Sequence, residues 1–467
     1  MRSRSPGEEV LQRMIARNFD RSRRDANTLG ALAALGAALG LLAAPQADAG
    51  NIYFVTDPGD MGPGTLRQLI SDLSKPEAAT GNTVVFDNSL VGSTITLTSG
   101  YITIGKPMYI QGPGRNLLTI SGNHDSRIFY VKTNTLDQYT FISGLTLTAA
   151  NAGAIHVGGA IQVEASAVYL NNSAVTASTA GAGGGIFAAN SRLFVARSRV
   201  SGNSAVASAG GGISANFSSV TIDSSTISGN TAVTYGGGIY ARNIASGNAF
   251  SVSKSTISGN RIPQPAAPAL TGGGGLALKN ASADLVELNT STVAGNYAFR
   301  YGGGINLLDY PSAQAFAVRY STIASNSSSS SGGDGIFFSA GVVRAVNTVV
   351  SGNFSTGGLS DLPATSVFYM TNCFVQTPGN ATFTVGSSGS VFGLDPHLSA
   401  LADHGGPTLT MLPAAGSAVI DKLPCPPSIG EQRGFGYSRC VNGLMDIGAV
   451  ERQNPEDIVF RNGLEPI

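Results

Sequence analysis

Tryptophan is absent, cysteine occurs three times in 467 residues, and only 12% of the chain is charged. Three cysteines exclude a disulfide-dense scaffold, and no Cys-x-x-Cys or Cys/His spacing offers a zinc-type metal site. Cys425 and Cys440 could close one small loop near the C-terminus in an oxidising compartment, leaving Cys373 free. The 28 basic and 28 acidic residues cancel, so no basic face for nucleic acid is indicated. Acids are sparse where the chain is most regular. Between residues 151 and 355 they are Glu164, Asp223, Asp284, Glu287, Asp309 and Asp334. Polysaccharide hydrolysis needs two carboxylates facing each other across a groove. Lyase chemistry needs a Lys, Arg or His base near acids that hold a cation against the uronate. Asp284 and Glu287, three apart in SADLVEL, would point to opposite faces of a strand, and no residue set for either reaction can be assembled.

What the sequence has in quantity is glycine, 61 residues of it, arranged in a repeat. The phrase STISGN (Ser225–Asn230) is followed by GGGI (Gly236–Ile239), and variants of this pair recur from Gly158 to Asn353. The closing asparagines Asn203, Asn230, Asn260, Asn296, Asn326 and Asn353 are 27, 30, 36, 30 and 27 residues apart. Self-similarity at that period marks a solenoid, whose coils bury their apolar faces only by stacking. The segments between glycines alternate with period two and are rich in β-branched residues, as strands require. Glycine triplets would break a helical repeat, and three short strands per turn fit a right-handed parallel β-helix of about eleven coils. The fold class expected is therefore all-β.

Along the chain, residues 1–49 read as a signal peptide. An arginine-rich start precedes the apolar run Leu29–Ala44 and the small-x-small site Ala47-Asp48-Ala49. The apolar run is shorter than the ~20 residues that span a bilayer, so no transmembrane segment is expected in the mature chain. Residues 50–82 read as an N-terminal cap. Thr65-Leu66-Arg67-Gln68 fits a capping box, and Leu66, Leu69, Ile70 and Leu73 give one helical stripe. The β-helix is expected over 83–392. A turn-rich segment over 393–453 is expected to cover the other end of the stack, and 454–467 is read as a tail.

The pairing of GGGI with a closing asparagine, as in Gly183–Ile186 and Ser225–Asn230, resembles the repeats of polymorphic outer membrane proteins. The opening DPGDMGPGTLRQLI, residues 57–70, is similar to the start of bacterial parallel β-helix proteins. The run LDPHLSALADHGGPTLTMLPAAGSAVID with MDIGAVE (Met445–Glu451) resembles the choice-of-anchor Q domain. These resemblances imply an exported protein at the outer surface of a Gram-negative cell or secreted from it, and they are nearly silent on activity.

Candidate binding residues are Tyr235, Tyr240, Tyr297 and Tyr301, which cluster around two glycine triplets and could form a row for sugar rings. The six asparagines are expected to stack as a buried amide ladder. His397 and His404 lie close to Asp395 and Asp403, but among turn residues, where Asp more often closes an Asx-turn. No catalytic residue, metal ligand or cofactor is assigned. Calcium enters only with the alternative reading, a polysaccharide lyase or glycoside hydrolase. The preferred reading is a monomeric, adhesin-like binding or structural rod whose partner is a polysaccharide or a host-cell glycan.

Overall fold

The computed structural model describes residues 50–263, 271–311, 315–329, 333–338, 340–363, 367–384, 387–425 and 430–453. The expected signal peptide and the tail lie outside them. The described residues form a parallel β-solenoid. In one coil the strands Ile213–Asn216, Ser219–Asp223 and Thr226–Ser228 follow one another, each separated by a single corner. Each lies parallel and in register on its counterpart one coil later: Ile213 on Ile239, Val220 on Phe250, Ile227 on Ile257. The stacked counterparts make sheets of nine, thirteen and twelve strands. A fourth strand of only two residues, here Thr231–Ala232, follows the asparagine and builds an eight-stranded sheet. Two residues carry too little alternation to be read as a strand from sequence.

The first residue after each glycine run points inward. Ile186, Ile213, Ile239, Leu276, Ile305 and Ile336 are register partners, and all are completely buried. Each contributes roughly 1.5–3 kcal/mol by leaving water. The glycines are there for two reasons. Gly236 has φ +60°, a conformation that a side chain strains. At Gly238 the obstacle is space, since a Cβ would sit 2.6 Å from the Gly275 carbonyl oxygen and 2.9 Å from Asn260 Nδ2.

Asn260 reaches that glycine because the asparagines form a continuous buried ladder. The Nδ2 of Asn203, Asn230, Asn260, Asn296 and Asn326 each donates to the Oδ1 of the next at 2.9–3.0 Å. Asp361 ends the ladder, its Oδ1 accepting from Asn353 Nδ2 at 2.7 Å. The opening serine of the phrase does similar work at another corner. Ser198 N donates to Ser225 Oγ at 3.0 Å, and Ser225 N to Ser255 Oγ at 3.0 Å. The column continues through Ser291 and Ser321 to Thr348. Cys373 stands one coil beyond Thr348, buried, with its N–H on Ser390 Oγ at 3.0 Å.

At the N-terminal end, the helix Leu66–Leu73 buries Leu66, Ile70 and Leu73. Thr65 Oγ1 accepts from Gln68 N at 3.3 Å, while the Gln68 side chain turns to Asp72 and does not close the expected capping box. The strand Ile52–Val55, placed with the cap by its sequence position, pairs in parallel with Thr83–Phe86 and so belongs to the thirteen-stranded sheet.

The C-terminal segment departs from its expected place. Its described residues return along the twelve-stranded sheet. Gln432 Nε2 donates to Thr256 Oγ1 at 2.9 Å, and its Oε1 accepts from Thr292 Oγ1 at 2.6 Å. Ala449 N donates to Thr322 Oγ1 at 3.1 Å. Val349 and Phe374 pack against Val419, Leu423, Met445 and Ile447. Thr256, Thr292, Thr322, Val349 and Phe374 are register partners. The segment thus buries a column of threonine and apolar side chains that runs across five coils. Cys425 and Cys440 are joined as a disulfide within this segment.

Candidate functional site

The nine-stranded sheet presents Phe187, Ser214, Tyr240 and Ala277 at one position in four successive coils. Strands stack at about 4.8 Å, so Phe187 and Tyr240 stand roughly 10 Å apart. The small Ser214 between them leaves a recess. This cleft of about 340 Å³ is lined by Phe187, Ser208, Ser214, Tyr235, Arg242 and Lys279, among others. Tyr240 lies beneath it, 7% exposed and packed on Ala209 and Ala277. The Tyr235 ring stacks on Tyr240 with centroids 5.8 Å apart and planes 21° from parallel. Tyr235 and Phe187, both half-buried, are therefore the rings a ligand can touch.

Cations stand beside the rings. Arg242 and Lys279 are register partners two residues along the strand from Tyr240 and Ala277. Arg242 Nε donates to Asn216 Oδ1 at 3.1 Å, which fixes the guanidinium across the neighbouring coil. Lys279 lies 3.2 Å from Asp309, whose carboxylate holds the ammonium pKa above its ordinary value. Burial raises the Tyr240 hydroxyl pKa, and Arg242 and Lys279 oppose that rise.

The four candidate tyrosines do not form one row. Tyr235, Gly272 and Tyr301 share a position in successive coils, so a glycine separates the two rings. Tyr301 stacks instead on Phe337, with centroids 4.6 Å apart. Tyr297 lies in the eight-stranded sheet beneath the Arg261 guanidinium, its hydroxyl 2.7 Å from Ser329 Oγ. Only Tyr235 and Tyr240 reach the cleft. Phe187 had no signal in the sequence, because it precedes Tyr240 by two coils and adjoins no aromatic neighbour.

A second aromatic feature, Tyr109, Phe141, Tyr169 and Phe194, climbs the thirteen-stranded sheet. Its ring centroids are 4.7, 5.3 and 4.6 Å apart, with planes 9°, 29° and 8° from parallel. The faces cover one another and leave mainly edges outward, so the column serves packing. Three of the coil acids are taken up by neighbours: Glu164 by Lys132 at 2.8 Å, Asp223 by Ser253 at 2.8 Å, and Glu287 by Arg319 at 2.9 Å. In the C-terminal segment, Asp395 and Asp403 accept from the N–H of His397 and Gly405, the geometry of Asx-turns. His404 Nδ1 lies 3.1 Å from Thr410 Oγ1, and burial lowers its pKa.

That segment also holds a charged interior. Glu431 is bound by Arg433 Nε at 3.0 and 3.1 Å. Asp446 and Glu451 are fully buried, and one oxygen of each lies within 4.8 Å of an Asp421 oxygen and of the other. Asp446 accepts from the N–H of Asp421 and of Arg452, and Glu451 Oε2 from the N–H of Asp446.

No family model matches this chain, and no curated protein matches it. Among solved structures it is similar to the crystal structure of pectate lyase Pel9A, at 14% identity and a TM-score of 0.49. The match covers 87% of this chain and 98% of that one. A likeness of that looseness carries no argument about activity, and the fold rests on the strand register itself. Among the described residues no helix is long and apolar enough to cross a membrane.

Proposed function

We propose that this chain is an exported β-helix protein that binds an anionic glycan in the cleft over Tyr240, in keeping with its motif resemblance to surface proteins. The observation that carries the reading is the juxtaposition of two accessible rings, Phe187 and Tyr235, with Arg242 and Lys279 on one rigid face. Sugar rings present apolar C–H faces to aromatic side chains, and carboxylate or sulfate substituents attract a guanidinium and an ammonium. Stacked strands fix the backbone positions of all four residues before any ligand arrives, which limits the ordering cost of binding.

The test is a glycan array probed with wild type, Tyr235→Ala and Arg242→Ala. Binding to uronate-containing or sulfated glycans that falls in both variants supports the reading. Wild-type binding unchanged in both removes it. Release of unsaturated or reducing ends from such a glycan would replace a binding role with an enzymatic one. Export is tested separately, by N-terminal sequencing of protein recovered outside the cytoplasm, with Gly50 expected as the first residue.

A further inference from the structure

The carboxylate cluster of the C-terminal segment has no part in the cleft, and its charge is not balanced by direct contacts. No basic side chain lies within 4.0 Å of a carboxylate oxygen of Asp421, Asp446 or Glu451 among the described residues, whereas Glu431 has its own partner in Arg433. Arg439, the nearby buried guanidinium, is held through Nη2 by the Gly448 carbonyl at 2.6 Å and lies 5.1 Å from the Tyr320 ring centroid, and its Nε and Nη1 are buried without a hydrogen-bond partner. Arg452 turns its guanidinium to the Pro413 carbonyl at 2.8 Å. With all three acids ionised, as an ion would hold them, counting Arg439 against them leaves two negative charges, the complement of one divalent ion. An independent observation points the same way. Glu451 Oε1 is buried with no hydrogen-bond partner, on a carboxylate that faces the other two. Leaving a carboxyl oxygen unmet inside a protein is costly.

We propose that Asp421, Asp446 and Glu451 form a site for a divalent cation of the calcium type. The donors are all carboxylate oxygens, the hard ligands that calcium prefers over nitrogen or sulfur. Three oxygens within 4.8 Å of one another lie no more than about 2.8 Å from a common centre, so a small inward shift of the side chains brings them to calcium bonds of about 2.4 Å. The amide N–H groups on Asp446 and Glu451 hold these two carboxylates in place and leave lone pairs for the ion. Asp421 is exposed and supplies the way in. Bound calcium would join the turn at Asp421 to the Asp446–Glu451 segment, and so secure this segment where it crosses the coils.

The test uses the full chain treated with chelator, then titrated with calcium chloride by calorimetry, with melting followed in parallel. Saturable uptake of one ion with a dissociation constant at or below about 1 mM is expected, the range of extracellular calcium modules. A higher melting temperature in calcium should accompany it. Glu451→Gln and, at the exposed position, Asp421→Asn should each weaken uptake on the order of tenfold or more. Asp421→Asn keeps the test decisive if Glu451→Gln does not fold. No uptake up to about 10 mM, beyond the weakest such modules, overturns the proposal. So does uptake by a folded Asp421→Asn protein equal to that of wild type.

Discussion

Replacing Asn230 by alanine tests whether the amide ladder holds the coils in register. The substitution removes four hydrogen bonds. Asn230 Nδ2 no longer donates to Asn260 Oδ1 at 2.9 Å or to the Val200 carbonyl at 3.0 Å. Its Oδ1 no longer accepts from the backbone N–H of Asn203 or from Asn203 Nδ2, both at 3.0 Å. The four losses are unequal. Asn203 Nδ2 keeps the Val175 carbonyl, and Asn260 Oδ1 keeps the N–H of Asn230. The Asn203 N–H is left with nothing in a position that water does not reach, since Asn203 is 1% exposed. One orphaned buried donor costs about 1–3 kcal/mol, and the partly met groups bring the expected total to about 2–4 kcal/mol. Chemical denaturation gives the total, although a repeat array can depart from two-state behaviour. Native-state hydrogen exchange at the Asn203 amide therefore gives the sharper reading, because that proton should lose protection before its neighbours. Unchanged exchange at Asn203 together with a stability change below about 0.5 kcal/mol would refute the reasoning.

Gly238→Ala should destabilise by about 1–3 kcal/mol through overpacking against the Gly275 carbonyl and Asn260; a melting temperature equal to wild type would contradict this. Burial pushes the Asp334 and Asp361 carboxyls up to about 6. Their folded values then exceed the unfolded value near 3.9, so the stability they confer is complete below about pH 4 and is lost as pH rises through about 6. Asp361→Asn should flatten that decline in a series of melts across the window, and an unaltered slope would count against the assignment. Cys373→Ser places a hydroxyl in the position that serines fill in earlier coils and should change stability by less than about 1 kcal/mol. The wild-type thiol, buried and pushed up to about 12, should resist alkylation until the protein unfolds. Rapid labelling of the folded protein would show that the site opens.

The coil was legible in the chain before folding. The recurring phrase carries the inward Ile186, Ile213 and Ile239, the glycines that must lie where a Cβ has no room, and the asparagines spaced to meet their own copies one turn later. Each of these is a local constraint repeated once per coil, and so each leaves a recurring trace in the chain. Features that arise once, from contacts between distant coils, leave no such trace. Phe187 and Tyr240 face one recess because Ser214 stands between them in the coil stack, 53 residues of chain having been wound into two rungs. Gln432 bonds to Thr256 across 176 positions, which brings a segment expected at the end of the stack along its side. Asp421, Asp446 and Glu451 come within reach of one another because Leu423–Pro424 pairs antiparallel with Leu444–Met445. Stacking repeats itself and can be read from a period, whereas a single non-repeating contact between distant residues becomes visible only when the chain is folded.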